Sequence, residues 1–503
     1  MPDGRERIVI VGAGIAGLFA AMMLAAQGRC ITLVERDPAP EPGQDADAAF
    51  ADRRRRGVGQ LRHSHAFLAR LVNLVRDTHP ALLEAWKAAG CREVPLADFT
   101  PSSLRDRYTF EAGDERLAML VGRRTTFEAV LRRYVEALAG VEIRSGTFVA
   151  NLAFADQEGL SAPTVTGVLT EAGERLAADL VIDAAGRLSQ APDWLSAHGI
   201  ALVEAGEPTG VVYYTRHWRL NPDHARPPRG RSPGAGDLGY LKFGLFEADE
   251  GWFSVTLAVA ETEAGLRRAL PQPELFDAAC RALPALAPWI EPDRATPQTG
   301  VFGMGQLASR WRRLVKEGRP QVLGLLLAGD GLIQSNPIYG RGTAFAAVEA
   351  QALARTLAAT ADPATRTRLY ESLVEQALRP LYDDMQAQDR AAIRAAAAVR
   401  AGAPAPLREQ LAQSFIRDGA GLAVRDDPEA FRAAMRGFHA LEPPQAWIRA
   451  PRHMGLALRT WARGKRRNAH LYPGPLGPDR REMLARLGLE DDAGSGPGDV
   501  LAA

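Results

Sequence analysis

Three glycines within six positions, Gly12, Gly14 and Gly17, are followed eighteen positions later by an acidic residue, Glu35. Residues of these types at this spacing suit the binding of phosphates and a sugar. Gly12 permits a tight turn, Gly14 lets the backbone approach a pyrophosphate, and Gly17 lets a helix pack closely on a sheet. Together with Ala13, Ile15 and Ala16 they form a loop and helix start whose N–H groups and partial positive charge attract phosphate. Glu35, followed by Arg36, accepts hydrogen bonds from the hydroxyls of an adenosine ribose. A glycine pattern alone is weak evidence, but this one has context. It lies between two β-like apolar runs, Ile8–Val11 and Ile31–Val34, in the order strand, turn, helix, strand that dinucleotide binding requires.

The nineteen uncharged residues from Ile8 to Ala26 could also be a membrane span, or a signal peptide behind Arg5 and Arg7. The clustered glycines and the β-like run after Gly28 argue against both. With 503 residues the chain can bury a large core in two or three domains, and 46% hydrophobic with 24% charged residues fits a soluble globular protein. A formal charge of +1 gives no electrostatic case for nucleic acid or an acidic membrane. Cys30, Cys91 and Cys280 are odd in number and widely spaced, which suits reduced thiols in a cytoplasmic enzyme. No other run reaches membrane-spanning length.

The elements that must position the glycines can be read along the chain. Asp37–Asp52 reads as a loop and leads into Arg53–Arg56, a basic run of the kind that faces solvent. The alternative turns that run and the Gly57–Gly59 segment toward cofactor phosphates. His63 and His65 share a side if extended, but no third ligand is near, and no metal is assigned. Ala66–Gly90 has helical spacing broken at His79–Pro80, and Tyr108–Val121 reads as a hairpin around Ala112–Gly113–Asp114. Thr125 or Thr126 caps the next helix. Strands follow at Val141–Arg144, Val165–Leu169 and Leu180–Ile182, the last ending at Asp183. Thr209–Leu220, Gly239–Phe246 and Trp252–Ala260 read as antiparallel strands joined by a loop from Asn221 to Gly236, with a helix at Gln272–Leu283. Another apolar strand ends at Gly329–Asp330. Beyond Asn336–Pro337, Gly340–Arg341–Gly342 opens an alanine-rich helix.

The N-terminal fingerprint, the Asp183–Ala184–Ala185–Gly186 turn and the segment from Gly329–Asp330 through Asn336–Pro337–Ile338–Tyr339–Gly340–Arg341–Gly342 together resemble the FAD-dependent monooxygenases of the p-hydroxybenzoate hydroxylase fold. The resemblance covers most of Arg7–Leu357. Aromatic hydroxylases carry Gly-Ala-Asp-Gly at the middle motif, linked to NADPH use; the form here is closer to the squalene-epoxidase-like, polyether-epoxidase-like and halogenase-like branches. Gly57–His65 likewise resembles the Gly-Val-Pro-Gln-Gly-Arg-His-x-His stretch of bacterial epoxidase-like members, with Gly59 at the proline. The Trp-x-Trp-x-Ile-Pro motif of halogenases is absent.

The resemblance implies an α/β fold. A Rossmann-like FAD-binding domain (1–201 and 299–362) would carry an inserted antiparallel-sheet substrate domain (202–298), followed by a helical region (363–488) and a disordered tail (489–503). It implies that Gly12, Gly14 and Gly17 hold the FAD pyrophosphate and Glu35 the ribose. Arg124 would contact the flavin, Asp183 would sit near the pyrophosphate, and Asp330 would bond the ribityl or phosphate region. A helix starting at Gly342 aims its N–H groups at the flavin N1–C2=O edge. Gly340 and Gly342 let backbone approach the ring, and Pro337 shapes the turn beside it.

The activity implied is insertion of one oxygen atom from O₂ into an apolar organic substrate through a flavin C4a-hydroperoxide, as an epoxide or hydroxyl. Electrons come from NADPH or a separate flavin reductase. No catalytic base is assigned. His63, His65, Tyr214, Phe243, Phe253 and Tyr339 are the substrate candidates, with Tyr213, His217 and Phe246 as further pocket residues. Rival readings on the same fold are a halogenase, an isoprenoid double-bond reductase and a non-enzymatic prenyl or lipid carrier.

Overall fold

The computed structural model describes residues 6–41, 43–156, 162–400 and 406–490. Most of the expected tail, from residue 491 on, lies outside the described residues. The apolar runs of the N-terminal half form a parallel sheet: β1 (Arg7–Val11), β2 (Cys30–Glu35), β3 (Val141–Ser145) and β4 (Leu180–Asp183), with Leu325–Leu327 as its fifth strand. Across the sheet the order is Leu325–Leu327, β4, β1, β2, β3. A parallel sheet is covered on both faces, which is why Ile8, Val9 and Ile10 are all apolar and all buried. Helix α1 (Ile15–Ala25) leads from β1 to β2, and α2 (Arg124–Glu136) leads into β3. Helix α3 (Gly342–Ala359) packs on α1.

The inserted sheet is built on β5 (Val211–Leu220), β6 (Leu241–Glu247) and β7 (Trp252–Ala260), paired antiparallel in the order β6, β7, β5. Alternation splits its faces. Tyr214, Trp218, Phe253, Val255 and Leu257 pack with Phe276 of the helix Pro273–Arg281 and with Met483 and Leu484 near the C-terminus. Tyr213, Thr256 and Ala258 look out of the other face into a cavity. The helical region begins with α4 (Pro363–Arg400). Among the described residues no helix is long and apolar enough to cross a membrane.

Three local expectations fail for identifiable reasons. Residues 108–121 form no hairpin. Instead the Asp114 carboxylate takes the Tyr108 hydroxyl at 2.7 Å and Arg432 at 2.8 Å, which docks the turn on the helical region. Met119–Val121 then pairs with Ala66–Phe67 and Arg92–Val94. Thr125 and Thr126 do not cap α2, which starts at Arg124. The fully buried Asp249 serves from another segment, accepting from the Arg123 N–H at 2.6 Å and the Thr126 hydroxyl at 2.9 Å. The stretch expected as a loop contains a helix, Ala46–Asp52, whose first turn is capped by Asp45 through the Ala48 N–H at 2.7 Å.

Candidate functional site

One cavity of about 1200 Å³ joins the two glycine-rich segments to the inserted sheet. Its wall includes Gly12, Gly14, Ile15, Ala16, Glu35, Arg36 and Arg124 from the N-terminal half. Gly329, Asp330, Pro337, Gly340 and Gly342 join it from three hundred residues downstream. Of the residues proposed for substrate, His63, His65, Phe243 and Tyr339 line it, as do Tyr213 and Phe246.

Six of the expected site residues are placed elsewhere. Ala13 is buried with its N–H given to Glu35, and His217 is buried against Phe50 and Trp252. Gly17 packs behind the loop, where an added Cβ would stand 2.0 Å from the Gly12 carbonyl oxygen. Asp183 is fully buried beneath its turn, accepting from the Ala185 N–H at 3.1 Å and from the Ser189 hydroxyl, while Ala184, Ala185 and Gly186 form the wall. Burial pushes the Asp183 carboxyl above its ordinary range. Tyr214 and Phe253 lie on the core face of the sheet, Tyr214 donating to the Arg267 carbonyl at 3.0 Å. Strand alternation gives the cavity to Tyr213 instead, so Tyr214 and Phe253 are packing residues.

At the first glycine segment, α1 has no side-chain cap and no acidic residue in its first turn. Its orphan N–H groups therefore open on the cavity. Glu35 accepts the Ala13 N–H at 2.9 Å and the Asp37 N–H at 3.0 Å. It also takes Arg55 Nη2 at 2.8 Å. Arg55 further reaches Asp37 at 3.2 Å and Glu128 at 3.1 Å, so this member of the arginine run points inward while Arg54 and Arg56 face solvent. Glu128 is fully buried and also binds Arg124 Nε at 2.7 Å. Burial would raise its carboxyl, but Arg124, Arg55 and Arg53 outweigh that and hold it at about 2.

The second segment is braced from both sides. The Tyr213 hydroxyl donates to Asn336 Oδ1 and accepts the Ile338 N–H at 3.1 Å. From α4, Asp389 accepts Asn336 Nδ2 at 2.8 Å and the Tyr339 hydroxyl at 2.9 Å. Arg341 donates to the Leu381 carbonyl at 2.9 Å. Helix α3 likewise starts with no side-chain cap and no acidic residue in its first turn. Beneath it Glu349, fully buried, accepts the Gly329 N–H and is pushed up to about 8 by burial.

The histidines are held neutral. His63 Nδ1 meets Thr215 Oγ1 at 2.8 Å, and burial lowers its imidazole to about 4. His65 lies between the His63 carbonyl and Arg124, and burial first, then the Arg124 charge, lowers it to about 3.

These residues fit FAD. Two uncapped helix starts, far apart in the chain, face one cavity, suited to a pyrophosphate and to an electron-rich ring edge. A Cβ at Gly14 would meet only Arg55, at 3.9 Å, and one at Gly340 nothing within 4 Å, so backbone is open to a ligand at both. Sequence reasoning missed Glu128 and Asp389, and offered Arg55 only within the alternative that turned the arginine run inward. The four-residue step from Arg124 to Glu128 on one helix was a readable signal for Glu128. Asp389 offered none, because it is brought in by tertiary packing alone.

A family model described as FAD dependent oxidoreductase matches residues 7–98. Protein Rv3254 of Mycobacterium tuberculosis is 30% identical over 383 residues, covering 71% of this chain and 73% of that protein. PqsL, a probable FAD-dependent monooxygenase from Pseudomonas aeruginosa, superposes with a TM-score of 0.51 at 16% identity, over 78% of this chain and 99% of its own. The flavin-dependent brominase Bmp2 does so with 0.53 at 16%, over 90% and 99%. At these identities the two structures share the fold.

Proposed function

We propose that this chain, which belongs to the family of Protein Rv3254 and is an FAD-dependent oxidoreductase of the p-hydroxybenzoate hydroxylase fold, inserts one oxygen atom from O₂ into an apolar substrate as an epoxide or hydroxyl. The observation that carries the reading is the continuity of the cavity. The glycine segments suited to a dinucleotide and the outward face of the inserted sheet wall the same space.

FAD, when bound and reduced, supplies the activation of O₂. The work of the chain is positioning and exclusion. Gly12, Gly14 and the start of α1 would hold the pyrophosphate, Glu35 the ribose, and Asp330 and Arg124 the middle of the cofactor. Tyr213 and Asp389 keep the loop from Asn336 to Gly342 in one shape. Thr256, Ala258, Phe246, Met304 and Ile338 give the nearby wall a mostly apolar surface, which favours a greasy substrate and keeps water out. No side chain is needed as a base, and both histidines here are neutral and already hydrogen-bonded.

Incubation of the reduced, FAD-loaded protein with candidate alkenes under ¹⁸O₂ tests this, with one ¹⁸O per product expected. Unlabelled, saturated product formed without oxygen would mean a reductase. Product that requires bromide or chloride would mean a halogenase. Bleaching of the yellow absorbance by NADPH, with and without an added flavin reductase, identifies the electron source.

A further inference from the structure

Where the cavity reaches the surface its wall turns basic. Three segments meet there: the loop 98–105, the loop 226–236, and the helical stretch carrying Arg425, Met435 and Phe438. The Ser103 hydroxyl donates to the Arg425 carbonyl at 2.7 Å. Arg425 Nε donates to the Leu471 carbonyl at 2.6 Å, and the Gly474 N–H donates to the Arg231 carbonyl at 3.0 Å. One short C-terminal stretch therefore fixes Arg231 and Arg425 as neighbours.

Six arginines line this part of the wall against two carboxylates. Arg92 and Arg226 share Glu247, at 2.9 and 2.7 Å. Arg229 and Arg92 share Asp98, at 3.2 and 3.6 Å. That leaves Arg105, Arg231 and Arg425, which have no carboxylate within ion-pair distance among the described residues. Surface arginines that serve only solubility are usually interspersed with acids. Here Arg231 and Arg425 stand close enough to repel, with no carboxylate paired to either among the described residues. Burial, then the Arg231 charge, holds the Arg425 guanidinium below its ordinary value. Beside the arginines the wall carries Phe99, Trp289 and Phe438, the last half exposed at 48%.

We propose that this mouth binds an anionic head group, a carboxylate or a phosphate, borne by the apolar substrate, with Arg105, Arg231 and Arg425 as its ligands. Guanidinium groups are suited to both anions through paired, charge-assisted hydrogen bonds. The substrate is then an amphiphile, its head at the surface and its apolar body directed along the sheet face toward Tyr213 and Thr256. The assignment deepens the oxygenase reading and rests on it for the identity of the ligand as substrate.

Calorimetric titration of the full chain, FAD-loaded and FAD-free, with decanoate, decyl phosphate and decanol tests it. The two anions are expected to bind about tenfold or more tightly than decanol at low salt. That gap should close near about 1 M salt, where screening is strong. It should also vanish in the double variant Arg105→Ser, Arg231→Ser, which leaves the Leu471 contact of Arg425 in place and keeps FAD binding. Equal affinity for decanol and decanoate overturns the proposal, as does an unchanged preference in the variant. Loss of NADP⁺ binding in the variant, with decanoate unaffected, also overturns it, because the mouth would then serve the electron donor. A chain that prefers the anions but cannot take up FAD supports the anion site and sinks the oxygenase reading instead.

Discussion

Arg124 Nη1 lies 3.1 Å from Nε2 of His65, and this contact fixes the state of the imidazole. A guanidinium can only donate, so Nε2 must accept, and the ring proton sits on Nδ1, where it is given to the His63 carbonyl at 2.9 Å. Protonating His65 would set a cation against Arg124. The neighbouring His63 is lowered to about 4 and His217 to about 3, in both cases chiefly by burial.

A pH dependence of stability follows. All three imidazoles are neutral in the folded chain but take up protons below about 6.5 when unfolded. The unfolded state therefore binds more protons between those limits, and stability rises with pH there. It is fully present above about 6.5 and is lost as pH falls toward 4 for His63 and toward 3 for His65 and His217. Each such histidine contributes a slope of about 1.4 kcal/mol per pH unit at most. Urea midpoints should fall from pH 7 to pH 5, and His63→Gln should flatten the fall. Glu349, raised to about 8, works in the opposite direction, so the variant decides: a pH dependence that His63→Gln leaves unchanged would contradict the assignment.

Removal of the Glu128 charge should be costly. Its carboxylate holds Arg124 at 2.7 Å and Arg55 at 3.1 Å, with all three side chains buried. Glu128→Gln leaves the buried Arg124 with no carboxylate partner among the described residues, while Arg55 keeps Glu35 and Asp37, an effect of about 3 kcal/mol. Glu136→Gln breaks the Arg132 pair at 2.7 Å, whose acidic partner is solvent-exposed, and should cost about 1 kcal/mol or less. Chemical denaturation of the two variants makes the comparison.

Much of this site was legible because its chemistry is written in local spacing. The strand–Gly–helix–strand order around Gly12 to Glu35 and the Gly329–Gly342 segment each show a backbone requirement in the sequence itself. What escaped was decided by distant partners. Period-two alternation said that Tyr213 and Tyr214 face opposite ways, but not which way the core lies; Phe276, Met483 and Leu484 settle that from elsewhere in the chain. The cap of α2 was misplaced because Asp249, more than a hundred residues away, does what Thr125 or Thr126 was expected to do. The brace on the second glycine segment comes from α4, whose sequence shows helix and nothing of Asp389.

That brace can be removed alone. Asp389 takes hydrogen bonds from Asn336 and Tyr339 at 2.8 and 2.9 Å, so Asp389→Ala leaves the Asn336 amide unpaired and Tyr339 with only the Met385 carbonyl at 3.5 Å, and frees the loop that carries Pro337 and Gly340. FAD affinity, followed by flavin fluorescence quenching, is expected to fall about tenfold, equivalent to one or two lost hydrogen bonds to a charged group. Asp383→Ala, on the same helix and paired with the half-exposed Arg379 at 2.8 Å and no other cation among the described residues, should leave affinity unchanged. Equal effects would mean that the helix, and not the Asp389 contacts, sets the loop.

The two glycine segments should fail differently when a methyl group is added. At Gly17 an alanine Cβ would meet the Gly12 carbonyl oxygen at 2.0 Å and the Ile10 side chain at 3.4 Å, inside the packing of α1 on β1. Backbone must move there, so Gly17→Ala should lower stability by several times the roughly 0.5 kcal/mol that ordinary surface changes reach, with flavin lost as a consequence. Gly340 has φ of +63° with nothing within 4 Å of the added Cβ. Gly340→Ala carries only the left-handed backbone strain, about 1–2 kcal/mol, and leaves the fold intact. Its methyl group, however, enters the space proposed for the isoalloxazine. The expected result is a protein that unfolds only a few degrees lower but binds FAD about tenfold or more weakly. Thermal melts of the FAD-free chains, set beside FAD titrations, separate the two effects. Normal FAD affinity in Gly340→Ala would remove the second glycine segment from the cofactor site.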